Sequence, residues 1–559
     1  MKKLLLSLFC LFSLVAMAQP NVPRQMQRSG KIELRPMRGF NNRILTYNPF
    51  GNRDMKARGG FAPFFLVYPD QPCDEQQAMK LFADLGLDRL VKDYAGSIGI
   101  VNPVGKKWNN EADFQAYKAM IDSMRIISNL KIIAIGSAAT FVNQTIARQA
   151  GEVAGIVTIG GKPGKASKTA VPVPAFIGGR NAAKVSQAYI AANKAKAVGK
   201  GLYVNSDEPL LRVFVDGSAK TDKELVAEAW EQVLSKNYRF CNFKHTFYTG
   251  AKFGQYGPYE LEPYADFAAL GLERKVIEED LLKSGKGKYL WYEYVPDGLS
   301  QRGAKSVPLV LLLHGHGNDP RTQAETSGWL QVQGKERFMV AELEWQGNGY
   351  EHMGLDGIEM VVHELLRKYP QIDPSRIYTE GLSAGAMTSS ALGIRKSHLF
   401  AAIGAMSGGI FPGGFYEFGG DALLDEAKQK RSYVETAYVG VFGTDDDTIM
   451  YPTLGTWKGN SIINAWKLYE TMNGMPVVEE YDFKNKGIFG QDMRDSKKEI
   501  LKNIQVQSGY LYKGNVPLMK LIAVEHYGHW NFQPAARMMW EHFKHFSRDV
   551  NTKKLMYTP

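Results

Sequence analysis

Arg376-Ile-Tyr-Thr-Glu-Gly-Leu-Ser-Ala-Gly385 is the stretch on which the fold turns. Arg376 to Thr379 reads as a short strand, and Ala384 to Arg395 as a helix that begins where the strand stops. Between them Gly381, Ser383 and Gly385 make the pattern GxSxG. A serine on a sharp strand-to-helix turn sits in strained backbone, and the turn leaves room for little beyond hydrogen on either side, which is why glycines flank it. Ser383 is therefore a candidate nucleophile.

Upstream, the apolar run Leu309 to Leu313 enters His314-Gly-His-Gly-Asn-Asp319. A loop after such a strand supplies one oxyanion N–H, and the residue after the nucleophile supplies the other. Those donors would lie near His316 and at Ala384. The competing reading is a glycine-rich turn with two surface histidines; a metal site would want a third ligand that the stretch does not offer. Downstream, chemistry on a serine needs an acid and then a histidine, each after a later strand. The run up to Phe442 ends in Gly443-Thr-Asp-Asp-Asp447, and Leu521 to Val524 ends in Glu525-His-Tyr-Gly-His529. A turn or calcium-binding loop is the alternative for the aspartates, and an ordinary polar loop for the histidines.

The chain has 559 residues, 44% hydrophobic and 22% charged. It can bury more than one core, because single cores rarely grow beyond about 250 to 300 residues. Strand-like runs alternate with helical patterns in both halves: Phe64 to Tyr68, Gln76 to Leu85, Glu111 to Met124 and Lys131 to Ile135 in the first, with the same grammar after Leu290. Alternation predicts mostly parallel sheets covered by helices. Several matches recur in one order. Lys131-Ile-Ile-Ala-Ile-Gly136 answers Arg376 to Gly381, Ile159-Gly160-Gly161 answers Ser407-Gly408-Gly409, and Trp230 with Arg239 answers Trp540 with Arg548, as in an internal duplication.

With these residues in place, the segment from Gly287 to Arg548 resembles the polyhydroxybutyrate depolymerase and feruloyl esterase group of α/β-hydrolases. The resemblance rests on His314-Gly315, Asp373 to Gly385, Gly443-Thr-Asp-Asp446 and Gly528-His529. It implies Ser383 as nucleophile, Asp446 as orienting acid and His529 as base, with His316 and Ala384 at the oxyanion hole. An acyl-enzyme mechanism on ester bonds follows, without metal or cofactor. Where that group often has a cysteine after His-Gly, this chain has His316, and no cysteine follows Cys241, so polymer-type specificity is not implied. Expected substrates are small-molecule or carbohydrate-linked acyl or aryl esters, with polyester fragments second. A serine peptidase of the prolyl-oligopeptidase kind keeps the same residue order, and a binding protein with a fossil site is the non-enzymatic rival.

The fold class expected is α/β, with two tandem α/β-hydrolase-type domains of mostly parallel sheets flanked by helices. The expected boundaries are a signal peptide at 1–18, a loose leader at 19–42, a degenerate non-catalytic copy at 43–250, a connector at 251–285 carrying a charged helical run from Glu273 to Lys283, and a catalytic domain at 286–559. Matching the repeats on their glycines sets Ala138 opposite Ser383, Asn181 opposite Asp446 and Lys220 near His529, with Pro69 to Cys73 in place of the His-Gly loop. No histidine precedes His245. The first copy is expected to pack on or assist the catalytic domain.

Met1-Lys2-Lys3, an apolar run from Leu4 to Val15 and Ala16-Met17-Ala18 have the three parts of a secretory signal peptide, predicting cleavage after Ala18 and a secreted or periplasmic protein. The run is shorter than the roughly 20 residues of a spanning helix, so no membrane anchor is expected. The net charge of +11 is spread over scattered residues with no basic stripe, and no nucleic-acid partner is expected. Cys73 and Cys241 could form one bridge and no more once Cys10 is removed.

Overall fold

The computed structural model describes residues 32–37, 39–40, 43–47, 63–94, 96–124, 129–164, 171–241, 259–285, 287–316, 318, 320–347, 350–410, 422–423, 425, 429, 434–446 and 461–559. The signal peptide, His245 and Asp447 lie outside the described residues. The chain divides into two compact units, one spanning Met26–Ala265 and Gly317–Thr322, the other Asp266–His316 and Gln323–Pro559.

In the first unit the strands are β1 (Arg35–Pro36), β2 (Ile44–Tyr47), β3 (Phe64–Tyr68), β4 (Ser97–Val101), β5 (Leu130–Ile135), β6 (Val153–Ile159), β7 (Ala175–Gly178), β8 (Lys196–Gly199), β9 (Leu202–Val204) and β10 (Arg212–Asp216). They form one sheet in the order 1-2-4-3-5-6-7-10-9-8. The six central strands from β4 to β10 pair in parallel, and both flanks are antiparallel. The side-chain period of two explains how the sheet is covered. Along β3, Phe64, Leu66 and Tyr68 join one core cluster while Phe65 and Val67 join the other. A central parallel strand is buried on both faces, so its sequence is a continuous apolar run. Helices Asn110–Met124, Ser137–Gln144 and Ala182–Ala192 supply one cluster; Glu75–Asp84, Leu87–Tyr94 and Asp222–Ala229 supply the other. A hairpin, β11 (Asn237–Cys241) with β12 (Tyr259–Pro263), follows.

The second unit contains β13 (Leu272–Glu279), β14 (Tyr289–Pro296), β15 (Val307–Leu313), β16 (Met339–Leu343), β17 (Ile372–Leu382), β18 (Ala402–Met406), β19 (Ala437–Gly443), β20 (Arg494–Leu501), β21 (Ile504–Lys513) and β22 (Val516–Val524). Their order is 13-14-16-15-17-18-19-22-21-20, the order of the first sheet strand for strand, with the same parallel and antiparallel pairings. A two-stranded sheet, β23 (Phe546–Arg548) with β24 (Leu555–Tyr557), answers the hairpin of the first unit. Two buried arginines make the correspondence closer. Arg239 on β11 donates to the carbonyls of Ala150, Val153 and Pro172, at the feet of β6 and β7. Arg548 on β23 donates to those of Phe400 and Glu435, at the feet of β18 and β19.

Three sequence expectations change. Glu273 to Glu279 belongs to strand β13, not to a helix: the eight residues of the strand pair with β14, and its charged side chains suit an outer strand that must not recruit another. Pairing outweighed the helix-forming composition. The loose leader ends earlier than residue 42, because Leu34 and Met37 are buried and β1 pairs with β2. The units meet between Ala265 and Asp266, within the stretch read as a connector. Cys73 is a free thiol, and the side chain of Cys241 lies outside the described residues.

Candidate active site

In the second unit β15, β17, β18, β19 and β22 stand side by side and run in parallel, so their C-terminal ends share one edge. His316, Ser383, Asp446 and His529 all follow strand ends on that edge. Segments far apart in sequence are gathered there by strand order alone.

Ser383 stands between β17 and the helix Ala384–Arg395, with φ 56° and ψ −114°. That backbone is strained for any residue with a side chain, by about 1–3 kcal/mol. Its neighbours hold it: the Ser383 N–H donates to Met406 O on β18 at 2.9 Å. A Cβ on Gly385 would overlap the Leu313 carbonyl at the end of β15, and one on Gly381 would strike the Gly385 backbone. Glycine is required at both places by close approach of backbone to backbone. In the loop just past β18, a Cβ on Gly408 would come within 2.5 Å of Ser383 O.

The acid and the histidine are brought together. Asp446, its side chain fully buried, lies with Oδ2 3.0 Å and Oδ1 3.1 Å from His529 Nδ1. The other members of the two clusters diverge. His526 Nδ1 is 3.5 Å from Asp445 Oδ1 and its side chain is 84% exposed, against 19% for His529. The loops are locked to each other, since Asp445 N–H donates to Tyr527 O at 3.0 Å and His526 N–H to Thr444 Oγ1 at 2.8 Å. Gly443 lets them approach, because a Cβ there would overlap Tyr527 O.

The two histidines after β15 part ways. His316 is exposed. His314 is buried, with Nδ1 2.8 Å from Gly315 O and Nε2 3.4 Å from Glu344 Oε1, and the Trp345 indole donates to its carbonyl at 3.0 Å. Ala384, whose N–H was expected beside that of His316, is buried at the first helical position.

Sequence reasoning missed a buried polar cluster beneath these loops. Glu380 accepts from Gln323 Nε2 at 2.8 and 2.9 Å and from Trp329 Nε1 at 3.0 Å. Burial pushes its carboxyl up to about 7, against hydrogen bonds from Gln323 and Trp329 that pull it down. The signal was present as a glutamate in the buried C-terminal half of β17, three residues before Ser383.

The corresponding edge of the first unit is built differently. Gly136, not Ala138, holds the elbow: its φ 58° and ψ −119° match Ser383, and its N–H donates to Ile159 O at 2.9 Å as that of Ser383 does to Met406. Ala138 lies one residue into the helix that Ser137 begins. Matching the glycines misplaced the register by two, because glycine takes the elbow's own backbone here instead of flanking it. Asp70, just past β3, accepts from Ser137 N–H at 2.6 Å, and its carbonyl accepts from the Ser137 hydroxyl. The Ser137 N–H is the chief cause holding Asp70 below its usual value. Asn181 is the third residue after Gly178, which pairs with Asp216, as Asp446 is the third after Gly443, which pairs with Val524. Lys220 is tied to Asp216 and Glu228, each at 2.9 Å. The described residues of the first unit contain no histidine.

Strand order, elbow and site edge together make this an α/β-hydrolase fold. No known family profile matches the chain. It is similar to poly(3-hydroxyalkanoate) depolymerase C of Paucimonas lemoignei, 23% identical over 257 residues, a match spanning 36% of this chain and 58% of that protein. Among solved structures it is similar to an acetyl xylan esterase from Aspergillus awamori (17% identity, 48% of this chain and 99% of that one, TM-score 0.33). It is also similar to a poly(3-hydroxybutyrate) depolymerase from Bordetella parapertussis (16% identity, 51% and 95%, TM-score 0.31).

Proposed function

We propose that the second unit is a serine hydrolase of carboxylic esters, with Ser383 as nucleophile, His529 as base and Asp446 as orienting acid, and that the chain is exported by a signal peptide at residues 1–18. The observation that carries this reading is the bond from Asp446 to His529 Nδ1. It holds the Nδ1–H tautomer and leaves Nε2 as the nitrogen that can take a proton. His529 removes the Ser383 proton as the serine attacks the ester carbonyl, and the buried carboxylate stabilises the imidazolium. The N–H groups of Ala384 and His316 receive the oxyanion. An acyl-enzyme forms, the alcohol leaves with a proton from His529, and water returns through the same steps. Esters of carbohydrates are the favoured substrates and polyester fragments the second class.

The first unit has no part in this chemistry. Gly136 offers no nucleophile, and the N–H that would answer Ala384 is already bound to Asp70. The test is labelling by a fluorophosphonate, followed by profiling of aryl, acetyl-sugar and feruloyl-sugar esters against peptide anilides. Ester turnover and labelling, both lost in Ser383→Ala, are expected; anilide turnover in preference would move the reading to a peptidase.

A further inference from the structure

A chain of buried side chains joins the three loops of the proposed site from below. Glu380 lies three residues before Ser383 on β17. Gln323 belongs to the short helix that follows the His316 loop, and Asn531 follows His529 by two. Gln323 donates through Nε2 to Glu380, and its Oε1 accepts from Asn531 Nδ2 at 3.1 Å. Asn531 also donates to Thr326 Oγ1 at 2.9 Å, and its backbone carbonyl accepts from the Tyr527 hydroxyl at 2.8 Å. Glu380, Gln323, Thr326, Trp329 and Asn531 are each no more than 1% exposed.

The fold does not need this polar chain. Counting back three from the elbow of the first unit reaches Ile133, an ordinary member of its apolar core. Replacing a buried polar set by well-packed apolar groups is often neutral or stabilising, so a glutamate in the unit with Ser383 where the other has Ile133 asks for another reason. We propose that Glu380, Gln323 and Asn531 are positioning residues, a directional hydrogen-bond chain that sets the His529 loop against the Ser383 elbow. The inference rests on the serine-hydrolase reading.

Direction makes it testable, because Gln323 turns its donor to Glu380 and its acceptor to Asn531, whose amide donates to Gln323 and Thr326. Asn531→Asp sets a carboxylate against Gln323 Oε1 and breaks the chain. Adding Glu380→Gln lets Gln323 turn over, so that the new amide on β17 donates, Gln323 relays and the new carboxylate beyond His529 accepts, with net charge unchanged. With p-nitrophenyl acetate, assayed above the raised Glu380 value of about 7 so that its carboxylate can only accept, Asn531→Asp is expected to lose about 100-fold in kcat, the size of an ångström-scale misplacement. KM should stay within about twofold, as for a loss confined to the transition state. The double variant should recover to within about tenfold of wild type, a non-additive result that coupled residues give. Asn531→Ala, which adds no charge, should show the same kcat-only loss if Asn531→Asp fails to fold. All are assayed well below their measured Tm. A loss that falls on KM, an additive double variant, or an Asn531→Ala with wild-type kcat overturns the chain. If the wild type neither turns over ester nor takes the fluorophosphonate, the serine-hydrolase reading itself has failed.

Discussion

Gly136 and Ser383 occupy one position in two sheets of identical strand order, with backbone angles within about 5° of each other. In the second unit the elbow carries a side chain, an acid and a histidine meet on the neighbouring loops, and a buried carboxylate lies three residues back. In the first the elbow carries hydrogen, Asp70 fills the space where a side chain would stand, and an isoleucine packs three residues back. The fold therefore keeps the strained turn whether or not anything reacts there. Each of these differences removes either a reacting group or the polar support of one.

The largest effect expected from breaking this contrast is Ser383→Ala. It should abolish fluorophosphonate labelling of the full chain and lower kcat by on the order of 10⁶-fold, because only binding and the oxyanion donors remain. Residual labelling would place a second reactive serine in the molecule, with Ser137 the first to examine. Next, Asp446→Asn should cost about 10⁴-fold in kcat, since the wrong imidazole tautomer is then held. His529→Ala should be as damaging as the serine variant, while His526→Ala keeps most activity. The opposite ranking in a kinetic assay would exchange the two histidines.

Gly136→Ser probes the contrast from the other side. A Cβ at Gly136 would overlap the Asp70 carboxylate, so the substitution should destabilise the first unit by about 1–3 kcal/mol. In the Ser383→Ala background it should create no ester turnover. Thermal unfolding measures the first point, and a new fluorophosphonate label would contradict the second.

The smallest effect concerns pH. The Glu380 carboxyl is raised by burial, so between its ordinary value of 4.5 and about 7 the native state keeps a proton that the unfolded chain has lost. Its contribution to stability is full below 4.5 and lost as pH rises through 7. Glu380→Gln should remove that share, so its Tm relative to wild type improves from about pH 4.5 to about pH 8. Glu470 and Glu152, both also raised to about 7 by burial, slope both proteins alike and cancel in that difference. An unchanged Tm difference across the range would mean that Glu380 ionises normally.

Much of this was legible. The GxSxG turn, the apolar strands entering it and the aspartate and histidine clusters after later strands are local patterns, set by backbone sterics and by the burial of both faces of a parallel strand. The duplication was visible too, through Arg239 and Arg548 as well as the glycine pairs. The elbow register was not. Two copies of a turn can place glycine at the turn or beside it, and the letters cannot tell a positive φ from a negative one. β13 was misread because its glutamates, Arg274 and Lys275 favour helix in isolation, and only β14 alongside makes it a strand.

By itself the sequence determined two α/β units, the candidate serine and the order in which an acid and a histidine must follow it. These depend on neighbours along the chain and on periodicity. Tertiary structure decided which aspartate meets which histidine, that Asp70 fills the first elbow, and that Glu380, Gln323 and Asn531 touch. Those contacts join residues from 57 to 208 positions apart, through strand order and burial that no local pattern encodes.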